Sequence, residues 1–270
     1  MTDHTYSLPL KRILVAFSLL LTSSAFGGYV YEFQESESGT STSLMVEGSK
    51  LRVTTGADQN SDMIYDTSTS TMIILEHDRK RYMELDKATL DDLSRQIEDA
   101  MAEMEKQLAS MPPAQRKMME GLMKGKMGGA EQTLPELSFD RTGDTNTISG
   151  YDVEKVVVLE DGSPARELWV ADWDDVEGSE ELITALTSMG EMLNNMTKAF
   201  SKGPLAGMMK NRANNNWYGR IEDIGGIPVA YSELGGKAKQ SQTTLSRVEE
   251  RDFEANFFEI PKGYKKQKMK

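Results

Sequence analysis

Between residues 29 and 85, apolar and polar positions alternate in short runs separated by turn-forming residues, the pattern of half-buried strands. The runs at 29–33, 44–46, 51–53, 63–65, 72–75 and 82–85 predict six strands. Gly48-Ser49 joins the second and third as a hairpin, and residues 66–70 and 76–80 make the later turns. Strands this closely spaced, joined by tight turns, favour an antiparallel meander.

The period then changes. Leu90, Leu93, Ile97, Met101, Met104, Leu108 and Met111 recur at intervals of three and four, which lays one apolar stripe along a helix of about six turns. Asp86 or Thr89 can cap its start, and Pro112-Pro113 ends it. A shorter helix carrying Met118, Met119, Leu122 and Met123 runs to a glycine-rich break at 125–129. Strand character returns at 137–139, 145–149, 151–159 and 166–171. Ser179 is placed to cap a second long helix, whose Leu182, Leu186, Met189, Leu193, Met196 and Phe200 again form a narrow seam that stops at Gly203-Pro204. Beyond an Asn-rich loop at 211–216, strands are predicted near 217–224, 229–233 and 239–248. A Phe258-to-Tyr264 segment and a Lys-rich tail close the sequence.

No regular βαβ alternation is present, so the predicted class is α+β. One curled antiparallel sheet, an incomplete barrel, would have the Met-rich helices over its concave face. Residues 26–270 then form a single β-rich domain with helical insertions at about 87–124 and 179–202.

The first 25 residues stand apart. Lys11 and Arg12 precede an apolar run at 13–21, and Ser23, Ser24 and Ala25 follow, which together read as a cleaved secretory signal. The apolar run falls well short of the ~20 residues that span a bilayer. Ala25–Phe26 is the preferred cleavage bond and Gly27–Gly28 the second. Cleavage would leave 245 residues with a net charge of −13, against −12 for the whole sequence. A chain this acidic, with no basic stripe interleaved with aromatics, is a poor fit to nucleic acid. The sequence has no cysteine, so no N-terminal thiol exists to carry a diacylglycerol anchor. The expected product is a soluble exported protein rather than a lipoprotein.

Candidate chemistry is sparse. Of the two histidines, His4 leaves with the signal and His77 falls in a predicted turn, without an evident relay partner or a Gly-x-Ser-x-Gly elbow. His77 is therefore expected to be dispensable, and no enzyme activity is expected. No phosphate or dinucleotide loop is present, and no cofactor is implied. The acidic run Asp172-Trp173-Asp174-Asp175-Val176-Glu177 departs from the EF-hand calcium spacing and reads as acids favoured before a helix start.

Methionine changes the picture. Twelve of the 18 lie in the helical segments, and this unbranched, polarizable side chain adapts to ligands of varied shape. Such a seam packs as plain core or borders an apolar pocket; copper(I) ligation fits less well, because the methionines follow helix-packing periods. If a pocket exists, its candidate lining is Ile97, Met101, Met104, Leu108, Leu186, Met189, Leu193 and Met196.

Several segments, in order, carry a resemblance. They are Met63-Ile64-Tyr65-Asp66 with Tyr82-Met83-Glu84, the Met-rich helix running into Met111-Pro112-Pro113-Ala114-Gln115-Arg116, Ile148-Ser149-Gly150-Tyr151, Glu167-Leu168-Trp169-Val170, and Phe258-Glu259-Ile260-Pro261-Lys262-Gly263-Tyr264. Together they resemble an exported bacterial family catalogued as domain of unknown function 4412. In that family Gly150-Tyr151 is often followed by cysteine where Val153 stands here, so nothing about a thiol carries over. The family is similar in strand order and in its Phe-x-Ile-Pro ending to the periplasmic lipoprotein carriers LolA and LolB, open antiparallel barrels with helices plugging a cavity for acyl chains. The resemblance implies a periplasmic, non-enzymatic binding or carrier protein for an acyl chain, lipid or lipoprotein. The alternative is an envelope interaction protein with a filled core that binds a protein partner.

Overall fold

A computed structural model describes residues 27–56, 60–118, 135–200, 216–234 and 241–267. The expected signal peptide, the break at 125–129, Gly203-Pro204 and most of the Asn-rich loop lie outside these residues. Among the described residues no helix is long and apolar enough to cross a membrane.

The six alternating runs fall inside six strands: β1 (Gly28–Glu35), β2 (Ser41–Glu47), β3 (Lys50–Thr55), β4 (Ser61–Asp66), β5 (Thr71–Glu76) and β6 (Arg81–Leu85). Helix α1 (Lys87–Ser110) follows, and Asp86 caps it by accepting a hydrogen bond from the Thr89 amide at 2.7 Å. Strands β7 (Leu137–Ile148), β8 (Tyr151–Glu160) and β9 (Ser163–Ala171) lead to α2 (Ser179–Phe200). Ser179 is the first residue of that helix rather than its cap. A 3-10 turn (Asn216–Arg220) and one helical turn, α3 (Ile221–Ile224), precede β10 (Ile227–Glu233), β11 (Gln242–Arg251) and the two-residue β12 (Lys265–Lys266).

Two expectations are corrected in strand content. The runs at 137–139 and 145–149 are one strand, bulged between Arg141 and Thr145. The segment expected as a strand at 217–224 is helical, because Trp217, Ile221 and Ile224 recur at four and three and present one apolar face.

All twelve strands form a single open sheet in the order β12-β6-β5-β4-β3-β2-β1-β11-β10-β9-β8-β7. Every pairing is antiparallel except β12 with β6, so the sheet is mixed. It curls around α2. Tyr31, Val46, Leu51, Tyr65, Met72 and Leu85 point inward from β1–β6, and Val153, Ala171, Val229 and Leu245 come from β8–β11, all into one core with Leu182, Ala185, Leu186 and Met189. Two tyrosines pin the helix to the sheet. The Tyr31 hydroxyl donates to the Glu177 carbonyl at 2.7 Å just before α2, and the Tyr65 hydroxyl lies 2.8 Å from Ser188 Oγ. Burial pushes the Tyr31 phenol above its ordinary pKa, which keeps it a neutral donor.

Close packing here depends on one glycine pair. A Cβ at Gly190 of α2 would stand 2.2 Å from Gly219 Cα, so only glycine lets α2 and the 216–220 turn touch backbone to backbone.

The expectation that both long helices cover the concave face is also corrected. Only α2, with the 216–224 segment, lies in it. Helix α1 has no buried residue and makes its main contacts with β6 and α2. A regular apolar stripe states that a helix has an apolar side, not that the sheet has room for it.

Candidate functional site

Between α2 and the sheet lies an apolar cavity of about 250 Å³. Strict alternation builds one wall. Phe33 of β1, Thr42 and Leu44 of β2, Val53 of β3 and Met63 of β4 all project to the face that also carries Tyr31, Val46, Leu51 and Tyr65. Leu182, Leu186 and Met189, successive members of the α2 seam, form the opposite wall. The 216–224 segment adds Trp217 and Ile221, and β10 adds Ile227, Pro228 and Tyr231. Of these thirteen residues only Thr42, Trp217 and Tyr231 carry a side-chain N–H or O–H. The Trp217 ring stands edge-on to Tyr231, with centroids 5.3 Å apart.

The sequence-predicted lining separates cleanly. Leu186 and Met189 line the cavity. Leu193 and Met196, one and two turns further along α2, are partly buried against the same core but do not line it. Ile97, Met101, Met104 and Leu108 are half-buried on α1 and are not in the lining. Among the described residues the lining holds two methionines, Met63 and Met189. Most of the wall was missed because it is assembled from five strands, and alternation marks each inward residue without stating which ones face a void.

His77 lies in a turn as expected, but the reading of it as solvated and partnerless is overturned. Its Nδ1 lies 2.6 Å from the Tyr264 hydroxyl, and its Nε2 lies 3.1 Å from Asp62 Oδ2. The same carboxylate oxygen accepts from Arg52, whose guanidinium also donates to the Phe257 carbonyl and sits over the Phe257 ring. Asp62 Oδ1 is buried without a hydrogen-bond partner. These groups occupy the convex face. There Val30, Met45, Ile64 and Leu75 are covered by residues 252–264 through Phe253, Phe257, Phe258, Ile260 and Tyr264. The Arg52, His77 and Tyr264 contacts tie β3, β4 and the turn after β5 to the C-terminal segment, so the geometry serves as a clasp that holds that segment down. The partners of His77 lie 15 and 187 positions away, too far for spacing to reveal.

In the acidic run, Asp172 accepts a hydrogen bond from the Asp174 amide and caps the short turn Trp173–Asp175. A polar depression beside it holds Arg141, which is paired with Glu154 and donates to the carbonyls of Ile224 and Gly225.

Neither the protein-family models nor the curated proteins give a match to this chain.

Proposed function

We propose that the chain is a non-enzymatic binding or carrier protein that holds an acyl chain, a lipid or the lipid part of a lipoprotein in the cavity under α2. The carrying observation is the cavity itself: a void of about 250 Å³ with an almost wholly apolar wall, open at one side. Well-packed domains leave few voids larger than a water molecule, and dry apolar cavities take apolar ligands. The resemblance to the exported family and to LolA/LolB-type carriers supports the same reading, and with it a periplasmic location after removal of the signal at 1–25. An open curled sheet with a helix in its concavity is the architecture such a carrier requires, although like folds serve unlike tasks.

The test is native mass spectrometry of protein purified from its own envelope, alongside titration of the purified protein with a fluorescent fatty-acid probe. A retained mass matching a lipid or fatty acid, and saturable probe binding abolished by Leu186→Trp, are expected. Absence of both sinks the reading.

A second reading, an envelope protein that binds a protein partner, is favoured by the sheet's open edge. Among the described residues β7 pairs only with β8, and its twelve residues are mostly exposed. An unpaired edge of that length can accept a further strand. Cross-linking from β7 to another envelope protein, with no lipid retained, would favour it.

A further inference from the structure

The cavity also constrains the size and direction of its ligand, an inference that rests on the apolar-ligand reading above. Its lining divides by exposure. Phe33, Thr42, Leu44, Val53, Met63 and Tyr231 are partly exposed, whereas the residues from α2, from the 216–224 segment and at the start of β10 are buried. The mouth therefore opens along the strand wall, at the sheet end where β1 runs into its turn and β10 finishes. The floor lies against α2 and Trp217.

Both lining hydroxyls, Thr42 and Tyr231, belong to the exposed group at the mouth. The floor offers Leu186, Met189, Ile221 and the face of Trp217. Behind that indole stand Val156, Val158, Leu168, Val170 and Ile224, a separate packed cluster. Trp217, 9% exposed, is thus the partition between the void and a filled core.

Volume sets the rest. A dry cavity of about 150 Å³ takes benzene, or about 25 Å³ per carbon, so 250 Å³ corresponds to about ten carbons. A polar or charged head would lose its hydration against a floor made almost wholly of aliphatic and aromatic carbon. We propose that the site takes one unbranched hydrocarbon chain of about ten carbons, inserted tail first. Its tail ends against Trp217 and its polar head stays at the Thr42–Tyr231 rim. Lipids with two or three long chains exceed this volume and could insert only part of one chain.

Isothermal titration of the full chain with straight-chain alkanoates, from hexanoate to hexadecanoate and below their micelle concentrations, tests this. Affinity should rise about fourfold per added methylene and level off near decanoate. Trp217→Leu, with its fold checked by circular dichroism, should move the plateau to longer chains. Tyr231→Phe should lower affinity by a similar factor at every length and leave the plateau in place. A rise continuing to hexadecanoate in the parent, or a plateau shifted by Tyr231→Phe, overturns the size limit or the orientation while the carrier reading stands. No binding at any length overturns both.

Discussion

The two faces of the β1–β6 meander are finished in opposite ways. The concave face packs Tyr31, Val46, Leu51 and Tyr65 against α2, adds two tyrosine hydroxyl contacts to it, and leaves a void beside that core, ringed by half-exposed side chains. The convex face is closed by residues 252–264, whose three phenylalanines pack with ring centroids 4.6–5.2 Å apart over Val30, Met45, Ile64 and Leu75. Beneath them Arg52, Asp62, His77 and Tyr264 form one hydrogen-bonded chain. The convex face is covered by a segment of the protein itself, while the concave face, though packed on α2, leaves Phe33, Leu44, Val53 and Met63 bordering a void. In the reading proposed above, that difference separates a structural side from a ligand-holding side.

The largest expected effect tests the convex clasp. Asp62→Ala removes the carboxylate that neutralises Arg52, which is 15% exposed at its side chain, and should cost about 3–5 kcal/mol in chemical denaturation. His77→Ala should cost less, about 1–3 kcal/mol, and should raise amide exchange in residues 252–267 first. If His77→Ala left stability and exchange unchanged, the expectation of dispensability would stand and the clasp would be abandoned.

A matched pair then compares the faces directly. Leu75 is fully buried under the strap, so Leu75→Ala should cost about 2–5 kcal/mol. Met63 borders the existing void and has fewer contacts to lose, so Met63→Ala should cost less than about 2 kcal/mol. Equal losses would mean that the concave side is packed as tightly as the convex one.

Gly190→Ala breaks the concave arrangement from the side of the helix. The added methyl has no room against Gly219, so α2 and the 216–220 turn must separate, at a cost of about 1–3 kcal/mol. Probe binding should fall with it, because Trp217 and Ile221 are carried by the displaced segment. Unchanged binding would show that this wall is not needed.

The smallest effect lies outside both faces. Hydrogen bonds from Thr89, side chain and backbone, hold the Asp86 carboxyl below its usual pKa. A depressed carboxylate stabilises the fold above its unfolded pKa of about 3.9, and that contribution fades as pH falls through the folded value. Asp86→Ala should cost about 0.5–2 kcal/mol at neutral pH and remove the part of the helical signal loss at acid pH that comes from α1. Helical circular dichroism from pH 2 to 6 on parent and variant reads this out. Met104→Ala, half-buried on α1 and away from the cavity, should change neither probe binding nor its pH dependence.

These outcomes also measure how far the sequence was legible. Period-two alternation located all six meander strands, because each has one face in the α2 core and one toward solvent or strap. The cap and end of α1 were equally readable, since both depend on neighbours within four residues. What α1 packs on was not. Its stripe and that of α2 have the same spacing, yet Leu182 is 2% exposed while no residue of α1 is buried. The 216–224 segment was misread although Trp217, Ile221 and Ile224 carried the helical interval; three apolar residues in eight also fit a strand, and tertiary packing decided. The cavity wall and the His77 clasp are long-range products of topology, and local pattern holds no record of them.

The strap has a consequence in time as well as in space. Ribosomes deliver residues 252–264 after every strand they cover, so the convex apolar face stays open until that segment has been made. Polypeptides released early would display Val30, Met45, Ile64 and Leu75 to proteases and chaperones, whereas finished ones would hide them. A chain that stops before residue 252 therefore lacks the cover of its convex face.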